Sequence, residues 1–373
     1  MEKKRSAVLT IVMLSFIILI FTAADFLQAD RLYSETENRV LASRPVFSPE
    51  SLFSGRYAKD YETYATDQFV SRDKWIAVKT YTDICLQKKE INGVYLGAGG
   101  FLIEQHLPEN YSAVQEAKKI LLLQRLVRKW DAAVMLAPTA DNILTDKLPP
   151  YAPYYDETRL LSRVEGQIGA EHCVDVYGVL KEHATEEIYY RTDHHWTTLG
   201  AYYAYLAWAE ATGRTPWDYD PSDMETVAED FLGTLHSRVN FNMKGDRICY
   251  FPQTLSRPMQ VTYDFQVKSD TCYEASHLDT KNKYGYFLDD NHAFVEIVTG
   301  YQDGGTLFVL KDSYANCFIP LLLPHYERIY VMDLRYFNGR LFDFMEKYEP
   351  EEGMDVLVLY NCIHFLEEFA FAE

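Results

Sequence analysis

Three apolar runs in the last third of the chain narrow the fold more than any other feature. They are TLFVL (306–310), RIYVMD (328–333) and DVLVLY (355–360). Each is short, rich in branched residues and unbroken by alternation, the pattern of a strand buried on both faces. AAVMLAP (132–138) adds a fourth such run, and Cys173 to Val176 reads as a fifth. Helical stretches lie between them. One spans 111–130 with Ile120, Leu121, Leu123 and Leu126 as its apolar stripe, and another follows Thr197. Strands alternating with helices predict an α/β fold, a mostly parallel sheet with helices on both faces. Ligands of such sheets sit at the carboxyl ends of the strands. The polar residues expected there include Asp141, Asp312, Ser313, Asp333, Arg335 and Asn361.

At the other end of the chain, Ala7 to Ala24 is an uncharged run of 18 residues behind Lys3, Lys4 and Arg5. As a helix it would span about 27 Å, enough to cross a bilayer core. The preceding cations keep the N-terminus in the cytoplasm and send the rest outside. The expectation is a single-pass cell-membrane protein with an extracellular domain; a cleaved signal peptide is the alternative. Residues 1–24 then form the anchor, and 25–60, polar and broken by Pro45 and Pro49, read as a stalk. Residues 61–373 form the main domain. The stretch 215–300, with Pro216, Pro221, Pro252 and Pro258 among shorter β-like runs, reads as an irregular insertion. Residues 56–90 look helical, and 92–103 read as a hairpin.

Composition removes several classes. With 48% hydrophobic residues the chain can bury a large core, which excludes wholesale disorder. A net charge of −19 gives no general attraction to phosphate backbones, so nucleic acid is not an expected partner. The six cysteines show no metal-binding spacing. In an exported chain Cys249 and Cys272 are the favoured disulfide pair, with six separate buried thiols as the alternative.

Two motifs carry chemistry. In RTDHHWTT (191–198), Asp193 and His195 stand two apart, so an extended backbone puts both on one side and His194 on the other. Thr197 or Thr198 caps the helix that follows. A capped, structural histidine is the plain reading; an Asp-oriented base is the functional one. A metal site at Asp193-His194-His195 would need diverging rings and a third spacing that the sequence does not offer, so no metal and no cofactor are expected. In LFVLKDSYANCF (307–318), an apolar strand runs into Asp312-Ser313 at the start of a predicted helix. Ser313 there is either an ordinary cap or a nucleophile beside unpaired N–H groups. Together with Asp193 and His195 it supplies nucleophile, base and orienter. Cys317 reads as packing.

DHHW (193–196), KDSYAN (311–316) and DLRYF (333–337) resemble the DHHW protein family, which is similar to the SGNH-hydrolase-like domains of alginate O-acetyltransferases. Looser matches are ENRVLASRP (37–45), FSGRYAKDYETYATDQFVSRD (53–73), NGVYLGAGGFLI (92–103) and FLGTLHSRVN (231–240). The resemblance implies an SGNH-like fold with Asp-x-His before the Ser in chain order. It implies Ser313 as nucleophile, His195 as base and Asp193 as its orienter. Gly233 and Asn291 resemble oxyanion donors, each with a turn residue as the alternative. Position 290 is Asp where the family pattern has Gly. Arg335 is a candidate for binding an acyl or sugar oxygen or an ordinary ion pair, and Tyr314 a pocket wall or core.

The implied activity is membrane-anchored O-acetylation of a cell-surface polysaccharide. A multi-span membrane-bound O-acyltransferase would be the acetyl supplier. A carbohydrate O-acetylesterase with the same triad and a non-catalytic glycan-binding envelope protein are the alternatives.

Overall fold

The apolar runs pair into one seven-stranded sheet. In chain order its strands are β1 (Ala133–Ala137), β2 (Gln260–Tyr263), β3 (Val267–Ser269), β4 (Phe294–Val298), β5 (Thr306–Lys311), β6 (Arg328–Asp333) and β7 (Asp355–Asn361). The order across the sheet is β3-β2-β4-β6-β5-β7-β1. The four strands β6, β5, β7 and β1 run parallel. At the other edge β4, β2 and β3 continue antiparallel. The computed structural model describes residues 2–34, 36 and 39–372, so Glu37 and Asn38 of the ENRVLASRP match lie outside the described residues.

Side chains alternate across every parallel strand. Leu307 and Val309 of β5 pack into one core, and Phe308 and Leu310 into another on the opposite face. Ile329 and Val331 of β6, and Leu357 and Leu359 of β7, repeat the first set. This two-sided burial is why the runs carry no polar alternation. Helix Thr198–Ala211 covers the first face through Ala201, Ala204, Tyr205 and Trp208. Helices Ala113–Trp130, Glu157–Ile168, Leu341–Tyr348 and Cys362–Glu368 cover the second. Register brings the strand ends level. Lys311 pairs with Asp333 and with Leu359, and Asn361 with Ala137. The residues that follow these positions form one edge.

Several expectations need correction. Cys173 makes only an isolated bridge to Val134, so Cys173 to Val176 is not a strand. Leu121 is half-exposed, and the buried stripe of its helix runs through Ile120, Leu123, Leu126, Val127 and Trp130. The stretch 215–300 supplies β2, β3 and β4, so part of it lies within the sheet. After Ser313 no long helix forms: a 3-10 turn over Ser313–Asn316 is followed by a four-residue helix, Ile319–Leu322. Pro320 and Pro324 restrict the backbone there. All six cysteines are free thiols, so Cys249 and Cys272 are not bridged.

Two compact units divide the chain: residues up to Lys88 with Ser237–Asn242, and the rest. The first unit contains helix Glu2–Leu27, whose segment Ser6–Asp25 is long and apolar enough to cross a membrane. It also contains helices Arg56–Gln68 and Arg72–Cys85. The end of the former pins the polar segment before it. Asp67 accepts from Arg39 Nη1 at 2.9 Å and Nη2 at 2.5 Å, and from Ala42 N–H at 2.9 Å. The Arg39 guanidinium, with the Ala42 N–H, lowers the Asp67 carboxyl from 3.8 to about 2 against the cost of its burial. A carboxyl depressed on folding contributes stability above its unfolded value and loses it as pH falls. Hydrogen exchange should therefore show segment 39–42 losing protection as pH drops from about 4 toward 2. Asp67→Asn should remove that acid slope.

Candidate active site

Carboxyl ends of the parallel strands gather the chemistry. Ser313 follows β5 directly. Its predecessor Asp312 is fully buried and fixes the turn through three acceptor contacts. Asp312 Oδ1 accepts from Tyr314 N–H at 2.9 Å, and Oδ2 from Asn361 N–H at 2.8 Å and from His364 Nδ1 at 2.9 Å. The end of β5 is thereby tied to the end of β7. One residue earlier, Lys311 is buried and binds Asn291 Oδ1 at 2.9 Å and Asn316 Oδ1 at 2.8 Å, with Asp333 Oδ2 at 3.5 Å. Burial lowers the Lys311 ammonium, and Asp333 opposes that shift.

The DHHW segment is a bend leading into helix Thr198–Ala211, which Thr197 caps by accepting from Gly200 N–H at 3.3 Å. Two reciprocal bonds lock this bend to the Ser313 turn. Trp196 Nε1 donates to the Tyr314 carbonyl at 2.8 Å, and the Tyr314 hydroxyl donates to the His194 carbonyl at 2.5 Å. Both side chains are fully buried. Asp246 sets the start of the bend. Its carboxylate accepts from Arg191 N–H at 3.0 Å, Thr192 N–H at 2.8 Å and the Thr192 hydroxyl at 2.7 Å.

Held this way, Ser313, His195 and Asp193 form one row. Ser313 Oγ lies 2.8 Å from His195 Nε2, and His195 Nδ1 lies 2.6 Å from Asp193 Oδ1. All three are at most 6% exposed. Asp193 also accepts from His195 N–H at 3.1 Å, Thr234 N–H at 2.8 Å and the Thr234 hydroxyl at 3.0 Å. Burial opposes its ionisation, but the two imidazoles and these donors outweigh it and hold the carboxyl far below the usual range. An ionised carboxylate only accepts, so His195 Nδ1 carries the proton and Nε2 offers its lone pair to Ser313.

His194 does not diverge from its neighbour, as an extended backbone would require. The bend brings the two rings to 3.9 Å at a tilt of 37°, and Nδ1 of His194 sits 2.8 Å from Thr234 Oγ1. Burial lowers His194 to about 4. On its other face His195 stacks against Tyr284 at 3.9 Å and 13°. The Tyr284 hydroxyl donates to the Ser313 carbonyl at 3.0 Å. Asp193, His194 and His195 stand close enough to share an ion. Both carboxylate oxygens already accept N–H donors, which makes the cluster a hydrogen-bonded row.

The remaining candidates separate from this row. Gly233 N–H donates to the Thr192 hydroxyl at 3.1 Å, so it is committed. A Cβ at Gly233 would fall on Cβ and Oδ2 of Asp193, so the glycine makes room for that carboxylate. Asn291 Oδ1 is taken by Lys311, and its amide donates to Asp290 at 2.7 Å. Arg335 grips Asp333 through Nε at 2.9 Å and Nη2 at 2.6 Å, the ion-pair alternative. Tyr314 is core and brace; Cys317 is buried, and burial pushes its thiol up to about 12. Sequence reasoning missed Tyr284, Thr234, Asp246, His364 and His106. Only His364 had a signal, since it stands one turn past the end of DVLVLY.

Fold and site thus define an α/β protein in which a serine at the end of a parallel strand meets a histidine and an aspartate from the bend before helix Thr198–Ala211. Over residues 154–332 the chain matches the family described as DHHW protein, the one its DHHW and KDSYAN blocks resemble. A DHHW family protein from Eubacterium siraeum is 27% identical, with TM-score 0.61 over 74% of this chain and 93% of that one. PatB1 of Bacillus cereus, solved with a sulfonyl adduct, is 20% identical, with TM-score 0.59 over 76% and 100%. The O-acetyltransferase domain of Pseudomonas putida AlgJ is 14% identical, with TM-score 0.45 over 74% and 93%. No curated protein matches. The first two show the shared fold.

Gly233→Ala should cost about 1–3 kcal/mol in urea unfolding, because the new methyl displaces Asp193. Gly166→Ala, on an open helix face, should be neutral or stabilising by up to about 1 kcal/mol.

Proposed function

We propose that this chain is a serine acyltransferase that moves acetyl groups onto hydroxyls of a cell-surface polysaccharide. The supporting observation is the unbroken row Ser313–His195–Asp193, with contacts of 2.8 and 2.6 Å. In this reading Ser313 Oγ attacks the acetyl carbonyl while His195 Nε2 takes its proton. The leaving oxygen departs with that proton, leaving acetyl-Ser313. A sugar hydroxyl then attacks the ester, giving its proton to Nε2, and Ser313 recovers it on collapse. Asp193 stays ionised and stabilises the imidazolium in both halves.

The Ser313 N–H, with no acceptor among the described residues, would face the tetrahedral oxyanion. A helix dipole adds little, since one 3-10 turn and then a four-residue helix follow. The 6% exposure of Ser313 supports transfer over hydrolysis, because a buried ester meets little water. Asp193 and His195 precede Ser313 in the chain, the order that the family resemblance implies.

Helix Glu2–Leu27 would anchor the enzyme in the cell membrane with its catalytic unit outside. Acetyl would come from a multi-span acyltransferase, since one span cannot carry it across.

Full-length protein incubated with p-nitrophenyl acetate should show an acetyl adduct on Ser313 by mass spectrometry. Ser313→Ala and His195→Ala should abolish nitrophenolate release. Asp193→Asn should lower it by up to about 10⁴-fold with the fold kept. Parent-rate turnover by Ser313→Ala would remove the assignment, and release without transfer to any added glycan would favour the esterase.

A further inference from the structure

Beside the proposed catalytic row, a pocket of about 180 Å³ opens where β1 and β7 end. Ser313, His195 and Asp193 do not line it; it meets the row through their chain neighbours. His194, next to His195, and Tyr314, next to Ser313, line the cavity together with His364. Three histidines line it, and two of them, His106 and His364, are each held by a fully buried aspartate. His106 Nδ1 lies 2.9 Å from Asp141 Oδ2, and His364 Nδ1 lies 2.9 Å from Asp312 Oδ2. The triad uses neither pair.

A single proton orders the wall behind His106. The Thr139 hydroxyl lies 2.6 Å from Asp141 Oδ1 and 2.6 Å from Glu157 Oε1. A hydroxyl has one proton to give, so both contacts are hydrogen bonds only if one carboxyl is protonated. That carboxyl is Glu157, which has no exposed surface and which burial and Asp141 push up to about 8. Asn142 Nδ2 also donates to Asp141 Oδ1 at 2.9 Å. Burial resists a charge on His106, but Asp141 and Glu104 prevail and hold the imidazole above its ordinary value. The pocket thus presents imidazole donors set among the carboxylates of Glu104 and Glu367, and neither lysine nor arginine lines it.

We propose that this pocket is the acceptor subsite and that it takes one sugar residue bearing no acidic group. The inference rests on the acyl-transfer reading above. Sugar hydroxyls both donate and accept, matching carboxylate oxygens and imidazole N–H groups side by side. A uronate or phosphate would meet the carboxylates of Glu104 and Glu367, while the imidazoles of His106 and His364 are already paired with Asp141 and Asp312 and no Arg or Lys lines the pocket, which costs binding. The volume, roughly six waters at about 30 Å³ each, suits a single ring.

Calorimetry on the full chain in detergent tests this with two probes and no acyl donor. N,N′-diacetylchitobiose should bind, and digalacturonate should bind at least about tenfold more weakly. His106→Gln should weaken diacetylchitobiose by about tenfold, the loss of one charge-assisted hydrogen bond. Glu104→Gln, at the partly exposed rim, should narrow the gap between the two sugars. Three results would each overturn the proposal: digalacturonate binding as tightly as diacetylchitobiose, neither sugar binding, or both variants leaving both affinities unchanged. Because no acyl chemistry is read, selective sugar binding can stand even if Ser313 never carries acetyl. Conversely, acetyl-Ser313 can form while the subsite fails.

Discussion

The pair of bonds between Trp196 and Tyr314 carries the geometry of the whole site. Two turns separated by more than a hundred residues must meet within a fraction of an ångström for Ser313 to reach His195. Each turn donates one side-chain hydrogen to a carbonyl of the other, and both donors are fully buried. A buried polar group left unpaired costs several times what a satisfied one gains, so the two turns cannot part without losing both bonds in a dry environment. The parallel register of β5, β7 and β1 supplies the rest, by ending the strands at one level.

Charge at this edge is handled in one consistent way. Asp193, Asp312, Asp141 and Asp246 all lie buried or nearly so, and each is surrounded by N–H or O–H donors. A carboxylate removed from water needs such donors to stay ionised, and once ionised it aligns whatever histidine stands beside it. Three Asp–His pairs result, at His195, His364 and His106. Of these three, the first also meets a serine hydroxyl, that of Ser313.

Much of this was legible in the sequence, for physical reasons that can be named. The doubly buried strands announced themselves because burial on both faces forbids polar residues. The i, i+2 spacing of Asp193 and His195 survived because the carboxylate reaches its neighbour's ring in a bend as it would in a strand. What failed depended on contacts across the chain. Gly233 looked like an oxyanion donor, but its N–H is spent on Thr192 and its missing side chain is what Asp193 needs. For Arg335, the sequence left an acyl or sugar ligand and an ordinary ion pair open, and Asp333 two residues earlier takes the guanidinium bidentately. Tyr284 lies in a stretch of 3-10 turns with no periodicity, so nothing local marked the ring that stacks on His195.

That stacking has a consequence for the order of events. With Tyr284 stacked on it and the His194 ring tilted against it, each at 3.9 Å, the His195 imidazole has little room to turn over between half-reactions. On the acyl-transfer reading, a single nitrogen must see off the departing group and greet the incoming one along the same line. Donor and acceptor would then take turns in one berth, and an excess of either should stall the cycle.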